Sequence, residues 1–338
     1  MKRWLCVSAF LIQTCGGHQQ SALDAAGAPA SGTERLWWMF FWLLLGIFIL
    51  VMAILSGTLR RRSGIREPEP AAVTHQPSPV QEIRLTAVVA SATGVTIAIL
   101  LALIVISVLA GKSIASSGTK AALTVEVVGN QWWWYVRYLN DDASRIVVTA
   151  NELHIPVGKA IMIRGTSHDV IHSFWVPNLQ GKRDLIPSRV TTEWIQADRP
   201  GRFRGQCAEF CGMQHAHMAL WVVAEPQDQF EKWMDAQRSP AATPSNPVLV
   251  RGQEVFMNHA CVLCHNITGT QAAGQVGPDL THVGSRLTIA AGTLPNNRGN
   301  LGGWIVDPQR IKPGNHMAVV PIPPDELQPL IEYLESLR

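Results

Sequence analysis

"GQCAEFCGMQHAHM", residues Gly205 to Met218, puts two cysteines, two histidines and two methionines into fourteen positions, with Glu209 between the cysteines. Three readings of this loop are open: a Cys207 to Cys211 disulfide, a zinc site, or a copper site. A disulfide suits an oxidising compartment. Thiolate, thioether and imidazole donors together select copper over hard cations. The loop closes a region, Leu123 to Glu225, made of short β-rich runs such as "LTVEVV", "RIVVTA", "KAIMIRGTS", "TTEWIQA" and "ALWVVAE", separated by Gly, Pro, Asn and Asp. Closely spaced strands with turn signals predict an all-β sandwich or Greek-key barrel. Such a scaffold can join one ligand loop to a histidine on a separate strand, and "SHDVIHSFWVPNL", Ser167 to Leu179, offers candidates.

Towards the amino terminus, two uncharged runs stand out: "WWMFFWLLLGIFILVMAILSGTL", residues 37–59, and "LTAVVASATGVTIAILLALIVISVLAG", residues 85–111. Each is long enough to cross about 30 Å of hydrocarbon as a helix, which predicts a two-helix transmembrane hairpin. The connector, residues 60–84, carries Arg60, Arg61, Arg62, Arg66 and Arg84, a bias that marks the cytoplasmic side and puts both termini outside. Residues 1–14 have a basic start and a short apolar stretch, as in a secretory signal. That segment ends in a lipobox-like Ile12 to Cys15, with cleavage near Ala28 to Ala30 as the alternative; residues 15–36 are then an exported amino-terminal segment. Trp37, Trp38 and Trp42 suit a membrane-interface belt.

Towards the carboxyl terminus, residues 226–247 read as a helix, Gln227 to Arg238 with Phe230, Trp233 and Met234 on one face, followed by the linker "SPAATPSNP". Residues 248–338 form a separate, all-α domain. It closes on "PPDELQPLIEYLESLR", where Leu327, Leu330, Ile331, Leu334 and Leu337 recur at helical spacing behind Asp325. Its "CVLCH", Cys261 to His265, is the C-x-x-C-H pattern of covalent haem c: the thiols take the vinyl groups and the histidine is an axial iron ligand. A zinc site would want two further paired ligands and a thioredoxin-like dithiol a βαβ context, and neither accompanies this motif. Downstream, "IKPGNHMAVV" offers Met317 and His316. It resembles the "KPGNxM" loop of small haem c domains attached to oxidase subunits, which implies Met317 as the second axial ligand, with Ala318 where that family usually has proline. Met257, His259 and His282 are read as packing or surface residues.

With these pieces in order, the chain resembles the membrane-anchored subunit II of haem-copper cytochrome c oxidases, in the bacterial variety with a fused carboxyl-terminal cytochrome c. The resemblance rests on "GNQWWWYVRY", "HDVIHSFWVPNLQGKRDLIPSR" and "GQCAEFCGMQHAHM". It implies a cupredoxin-like domain over residues 120–225 that holds dinuclear copper A. Cys207 and Cys211 would bridge both coppers, His172 and Met218 would complete one, and His215 with the backbone carbonyl of Glu209 the other. The Glu209 carboxylate matches a residue that joins a magnesium site shared with the catalytic subunit. Trp132 aligns with an aromatic residue used near electron input, whereas His168, His217 and Met213 fall off the ligand positions. Trp133 and Trp134 read as core or interface anchors.

The function implied is electron input to a terminal oxidase, from cytochrome c or a similar donor through haem c and copper A to a partner subunit that reduces oxygen and pumps protons. A nitric oxide reductase with a copper A subunit is the alternative, and a structural subunit that has lost its metal ligands is disfavoured because all six ligand positions are present. Partners implied are the catalytic subunit I, other oxidase subunits, the electron donor and membrane lipid. Leu123 to Glu225 carries ten basic and ten acidic residues, and residues 248–338 carry six and seven. With fields so nearly balanced, nothing points to nucleic acid, and electrostatic steering of a donor should be modest.

Overall fold

The computed structural model describes residues 20–62, 78–116 and 121–338; the signal segment with Cys15, and Arg66 in the connector, lie outside the described residues. Helices α1 (Ala28–Arg62) and α2 (Pro79–Ser116) extend past both apolar runs. Each contains a stretch of mean hydropathy 2.7 whose side chains are not buried by the rest of the chain. A helix apolar on every side and unburied by protein is suited to lipid, and both are long enough to cross a membrane. Near the start of α1, Trp37 stacks on Phe41 one turn later at 5.3 Å between ring centroids.

Ten strands build the β-domain as two five-stranded sheets. The first, in spatial order, is β3 (Val147–Ala150), β2 (Trp133–Tyr138), β1 (Leu123–Asn130), β5 (Ile161–Ser167) and β8 (Thr191–Ile195). The second is β4 (Glu152–Pro156), β10 (Ala219–Glu225), β9 (Gly201–Cys207), β6 (His172–Trp175) and β7 (Arg183–Leu185). Strands β1 and β5, and β4 and β10, pair in parallel, and the remaining pairs are antiparallel. Period-two alternation sends Trp134, Val136 and Tyr138 of β2 inward. Fully burying side chains of this size contributes about 2–3 kcal/mol each. The same core takes in Trp132, Cys207, Cys211 and Met218, so three sulfur-bearing side chains of the loop face the apolar interior while its tip stays outside.

Helix α3 (Gln227–Arg238) packs Phe230 and Met234 into that core and stacks Trp233 on the His154 ring at 4.0 Å. Beyond it lies a second core, built by α4 (Pro247–Asn258), α5 (Cys261–Cys264), α6 (Arg298–Val306) and a last helix, α8 (Pro324–Ser336), with the short α7 (Pro308–Ile311) following α6 outside it. Asn246 caps α4 by accepting from Leu249 N, and Asn297 caps α6 by accepting from Asn300 N. Helix α8 lies across α4, where Gly252 is required: a Cβ there would sit 2.1 Å from the Pro329 carbonyl oxygen.

The helical domain docks on the loop end of the sandwich. Ala219 N donates to the Ala291 carbonyl (2.9 Å), Leu287 N to Glu152 Oε2 (2.8 Å) and Gln214 Nε2 to the Pro313 carbonyl (2.7 Å). Residues Gln20 to Gly27 also pack on the sandwich, through Arg199 to Asp24 (3.0 Å) and Arg204 Nη1 to Gln20 Oε1 (2.7 Å).

Candidate metal centre

Sheet register brings the separated donors together. In the β6 to β9 pairing Phe174 lies opposite Cys207, and Ala208 N donates to the Ser173 carbonyl (3.0 Å), so His172 runs beside the start of the loop. Cys207 N in turn donates to the Met218 carbonyl (2.9 Å), which closes the loop on itself. Strand β1 passes tight behind the histidine: a Cβ at Gly129 would lie 2.6 Å from His172 Cδ2, so only glycine lets the ring sit there.

The donor atoms converge. Cys207 Sγ lies 3.8 Å from His172 Nδ1 and 3.1 Å from the Glu209 carbonyl oxygen. Cys211 Sγ lies 3.6 Å from His215 Nδ1 and 3.9 Å from Met218 Sδ. The ligand atoms of His172, Cys207 and Cys211 all lie within 4.8 Å of one another, and these three residues are buried. Cys207 and Cys211 are free thiols, so the disulfide reading of the loop does not describe this fold. Two sulfur anions in waiting, two imidazoles, a thioether and a carbonyl make a soft, partly anionic donor set of the kind that holds copper.

The electrostatics have identifiable causes. The hydrogen bond from Cys211 is the main influence lowering the Cys207 thiol, against burial and with help from His172; the neighbouring sulfur holds Cys211 correspondingly high. Burial pulls His172 down, but hydrogen bonds with Asp169 and Cys207 outweigh it and raise its pKa. Asp169 Oδ1 accepts from His172 Nε2 (2.8 Å), and the carboxylate also receives Gln131 N (2.6 Å) and Val170 N (2.7 Å). This carboxylate fixes the ring so that Nδ1 faces the sulfurs, the arrangement that orients metal-ligating histidines.

Other sequence candidates take different positions. His168 pairs with Asn130 (2.9 Å) and His217 with Gln214 (2.8 Å), both outside the cluster. Met213 is exposed, and Gly314 of the helical domain lies against its methyl end. The Glu209 carboxylate is partly exposed and paired with Lys182 (3.2 Å). Trp132 is buried, donates its indole N–H to the Cys211 carbonyl (2.9 Å), and lies 5.7 Å from the His316 ring.

In the helical domain Cys261 and Cys264 are the two ends of α5, half-buried and unpaired, and His265 follows directly. His265 Nδ1 donates to the Pro278 carbonyl (2.7 Å), which leaves Nε2 for a metal. A Cβ at Gly277 would lie 2.7 Å from His265 Cε1, so the chain passes flush against the ring. Burial is the largest influence on His265 and, with the charge of Arg286, holds its pKa below its ordinary value. Met317 is held by its backbone, N to Asn315 Oδ1 (2.8 Å) and carbonyl from Gln309 Nε2 (2.9 Å). Two thiols at the spacing of one helical turn, an oriented imidazole and a downstream thioether fit covalent haem c. His259 pairs with Glu326 (2.8 Å) and His282 with the Ser239 carbonyl (3.0 Å), each committed elsewhere.

Residues 136–225 match the family model "Cytochrome C oxidase subunit II, periplasmic domain", and residues 249–338 match "Cytochrome c". The chain is 38% identical over 215 residues to cytochrome c oxidase subunit 2 of Alkalihalophilus pseudofirmus, covering 63% of this chain and 61% of that one. It is 31% identical over 231 residues to cytochrome c oxidase subunit 2 of Thermostichus vulcanus, covering 67% of each. For the A. pseudofirmus, Bacillus strain PS3 and Bacillus subtilis proteins the matched share is 61%, 63% and 64% of their lengths, just under two thirds. The solved periplasmic domain of subunit II of cytochrome oxidase from Bradyrhizobium japonicum aligns at 31% identity over 36% of this chain and 96% of that one, with a TM-score of 0.34.

Proposed function

This chain belongs to the cytochrome c oxidase subunit 2 family, and from that premise we propose that it is the electron-input subunit of a haem-copper terminal oxidase. Its helical domain receives electrons from cytochrome c or a similar donor, and its β-domain passes them to the catalytic subunit, where oxygen is reduced to water with proton pumping. Lodged in a bacterial cell membrane by α1 and α2, the chain carries both domains on the outer side, as the arginines between the helices favour.

The convergence of His172, Cys207 and Cys211, with His215, Met218 and the Glu209 carbonyl around them, is the observation that carries this reading. These six groups would hold dinuclear copper A, while Cys261, Cys264, His265 and Met317 would hold haem c. When bound, the two groups supply one-electron redox chemistry and no bond-making. What the chain contributes is rigidity: donors fixed in a β-core change position little between oxidation states, which keeps the reorganisation on electron transfer small. The Asp169 carboxylate orients His172, the Pro278 carbonyl orients His265, and the apolar core excludes water from the sulfurs. The partly exposed Glu209 carboxylate is the group that would reach a magnesium ion shared with the catalytic subunit.

Copper and haem analysis of the full-length chain tests the reading: a copper pair and a single haem c per chain, with mixed-valence absorption, are expected, and a metal-free chain removes it. In the assembled complex, oxygen uptake driven by reduced cytochrome c is expected. Turnover of nitric oxide in its place would assign the chain to a nitric oxide reductase.

A further inference from the structure

Lys312 is 2% exposed, yet its side chain ends in an ammonium group. That group donates to three backbone carbonyls: Trp132 (3.0 Å) and His217 (2.9 Å) of the β-domain, and Ala290 (3.2 Å) of the helical domain. No carboxylate pairs with it among the described residues. All three ammonium protons are therefore spent on main-chain oxygens from three separate segments. Burying a charge without a counter-ion is unfavourable unless hydrogen bonds satisfy it fully, and three convergent carbonyls do so with a fixed direction.

Each end of this contact leads to a proposed ligand. On the helical side, the Lys312 carbonyl accepts from Asn315 N (3.1 Å) and Nδ2 (2.7 Å), and Asn315 Oδ1 accepts from Met317 N (2.8 Å). On the β-domain side, Trp132 donates its indole N–H to the Cys211 carbonyl (2.9 Å), Gln131 Nε2 reaches the same oxygen (2.8 Å), and His217 directly precedes Met218. Two further bonds cross nearby, Gln214 to Pro313 and Ala219 to Ala291.

We propose that Lys312 is a positioning residue for electron transfer within the chain: it clasps the loop bearing Met317 to the loops bearing Cys211 and Met218 and so sets the separation of the two redox sites. The proposal rests on the assignment of those sites given above. In the step it governs, one electron moves; the haem side is oxidised by one electron, the copper side reduced by one, and no proton or covalent bond is exchanged. Electron tunnelling falls steeply with distance, so a loosened clasp slows the step without altering either site.

The test uses the full-length chain carrying both cofactors, as wild type, Lys312→Met, Lys312→Arg and Gln214→Leu. Two readouts are taken: hydrogen exchange of the Ala219 amide, which bonds across the contact, and the haem-to-copper transfer rate after photoreduction of the haem. For Lys312→Met, exchange faster by roughly tenfold is expected, the effect of losing a charged-group hydrogen bond. Transfer slower by roughly tenfold or more is expected with both absorption spectra unchanged. Lys312→Arg should recover part of both. Should Lys312→Met fail to retain a cofactor, Gln214→Leu decides through a smaller slowing of the same kind, and an unchanged rate there overturns the proposal. Unchanged exchange and transfer in Lys312→Met with both sites intact overturn the clasp alone. A wild-type chain that binds no copper overturns the functional reading and the clasp with it.

Discussion

The two ligand clusters are made in opposite ways. The haem motif is contiguous: Cys261, Cys264 and His265 are placed by a single turn of helix, α5, and both thiols are half-buried. The proposed copper cluster is assembled from distant segments, His172 on β6 and a loop that leaves β9 and returns as β10, and its sulfurs sit within the main apolar core. In the first, adjacency along the chain carries the chemistry. In the second, register carries it, because a one-residue slip between β6 and β9 would turn His172 to the opposite face of the sheet.

If the two sites are independent in this way, substitutions confined to one site should separate them completely, and that is the largest effect expected. Cys207→Ser should abolish the copper pair and leave covalent haem in place, whereas Cys261→Ser with Cys264→Ser should release haem and leave copper bound. Metal and haem content per chain measures both, and loss of both groups from either variant would break the comparison. A smaller effect is expected from Asp169→Asn, which leaves the ligands but weakens the acceptor that orients His172. Copper affinity should fall about 10- to 100-fold in a competition titration, with haem content unchanged.

The smallest effect lies at the edge of the contact between domains. His154 is bracketed by Glu152, at 2.9 Å, and by Glu225, and Glu152 also accepts Leu287 N from the helical domain. Burial lowers the His154 pKa, but the two carboxylates outweigh it and raise it above 6.5. A raised folded pKa means that protonation favours the folded state. The contribution is therefore complete below about pH 6.5 and is lost as pH rises through the higher folded value. The thermal midpoint should decline modestly between about pH 6 and about pH 8, and His154→Gln should remove that slope. A slope that survives the substitution assigns it to other groups.

Much of this architecture could be read from the chain because its determinants are local. Two uncharged runs, a C-x-x-C-H motif and a crowded sulfur loop each declare themselves within about one helix or one loop. Other features depend on what folding brings together. Asp169 lies inside the quoted "SHDVIHSFWVPNL", yet nothing local marks it as the partner of His172, and the choice of His172 over His168 came from resemblance alone. Alternation along β2 divides the tryptophans: Trp134 goes fully inside against Phe174 and His172, while Trp133 is only partly covered. Lys312 sits in an evident loop motif, but its three acceptors come from three segments that no periodicity connects. The helices also outrun the apolar stretches that predicted them, since hydrophobicity marks the length in lipid and not where the backbone stops hydrogen bonding.

The most direct measurement of the central claim is electron paramagnetic resonance of the full-length, copper-loaded chain in its oxidised form. If the six donors hold a copper pair as proposed, the expected hyperfine pattern is that of one unpaired electron divided equally between two copper nuclei. A pattern from an electron localised on a single copper would contradict that claim, and with it the proposed route of electrons through this chain.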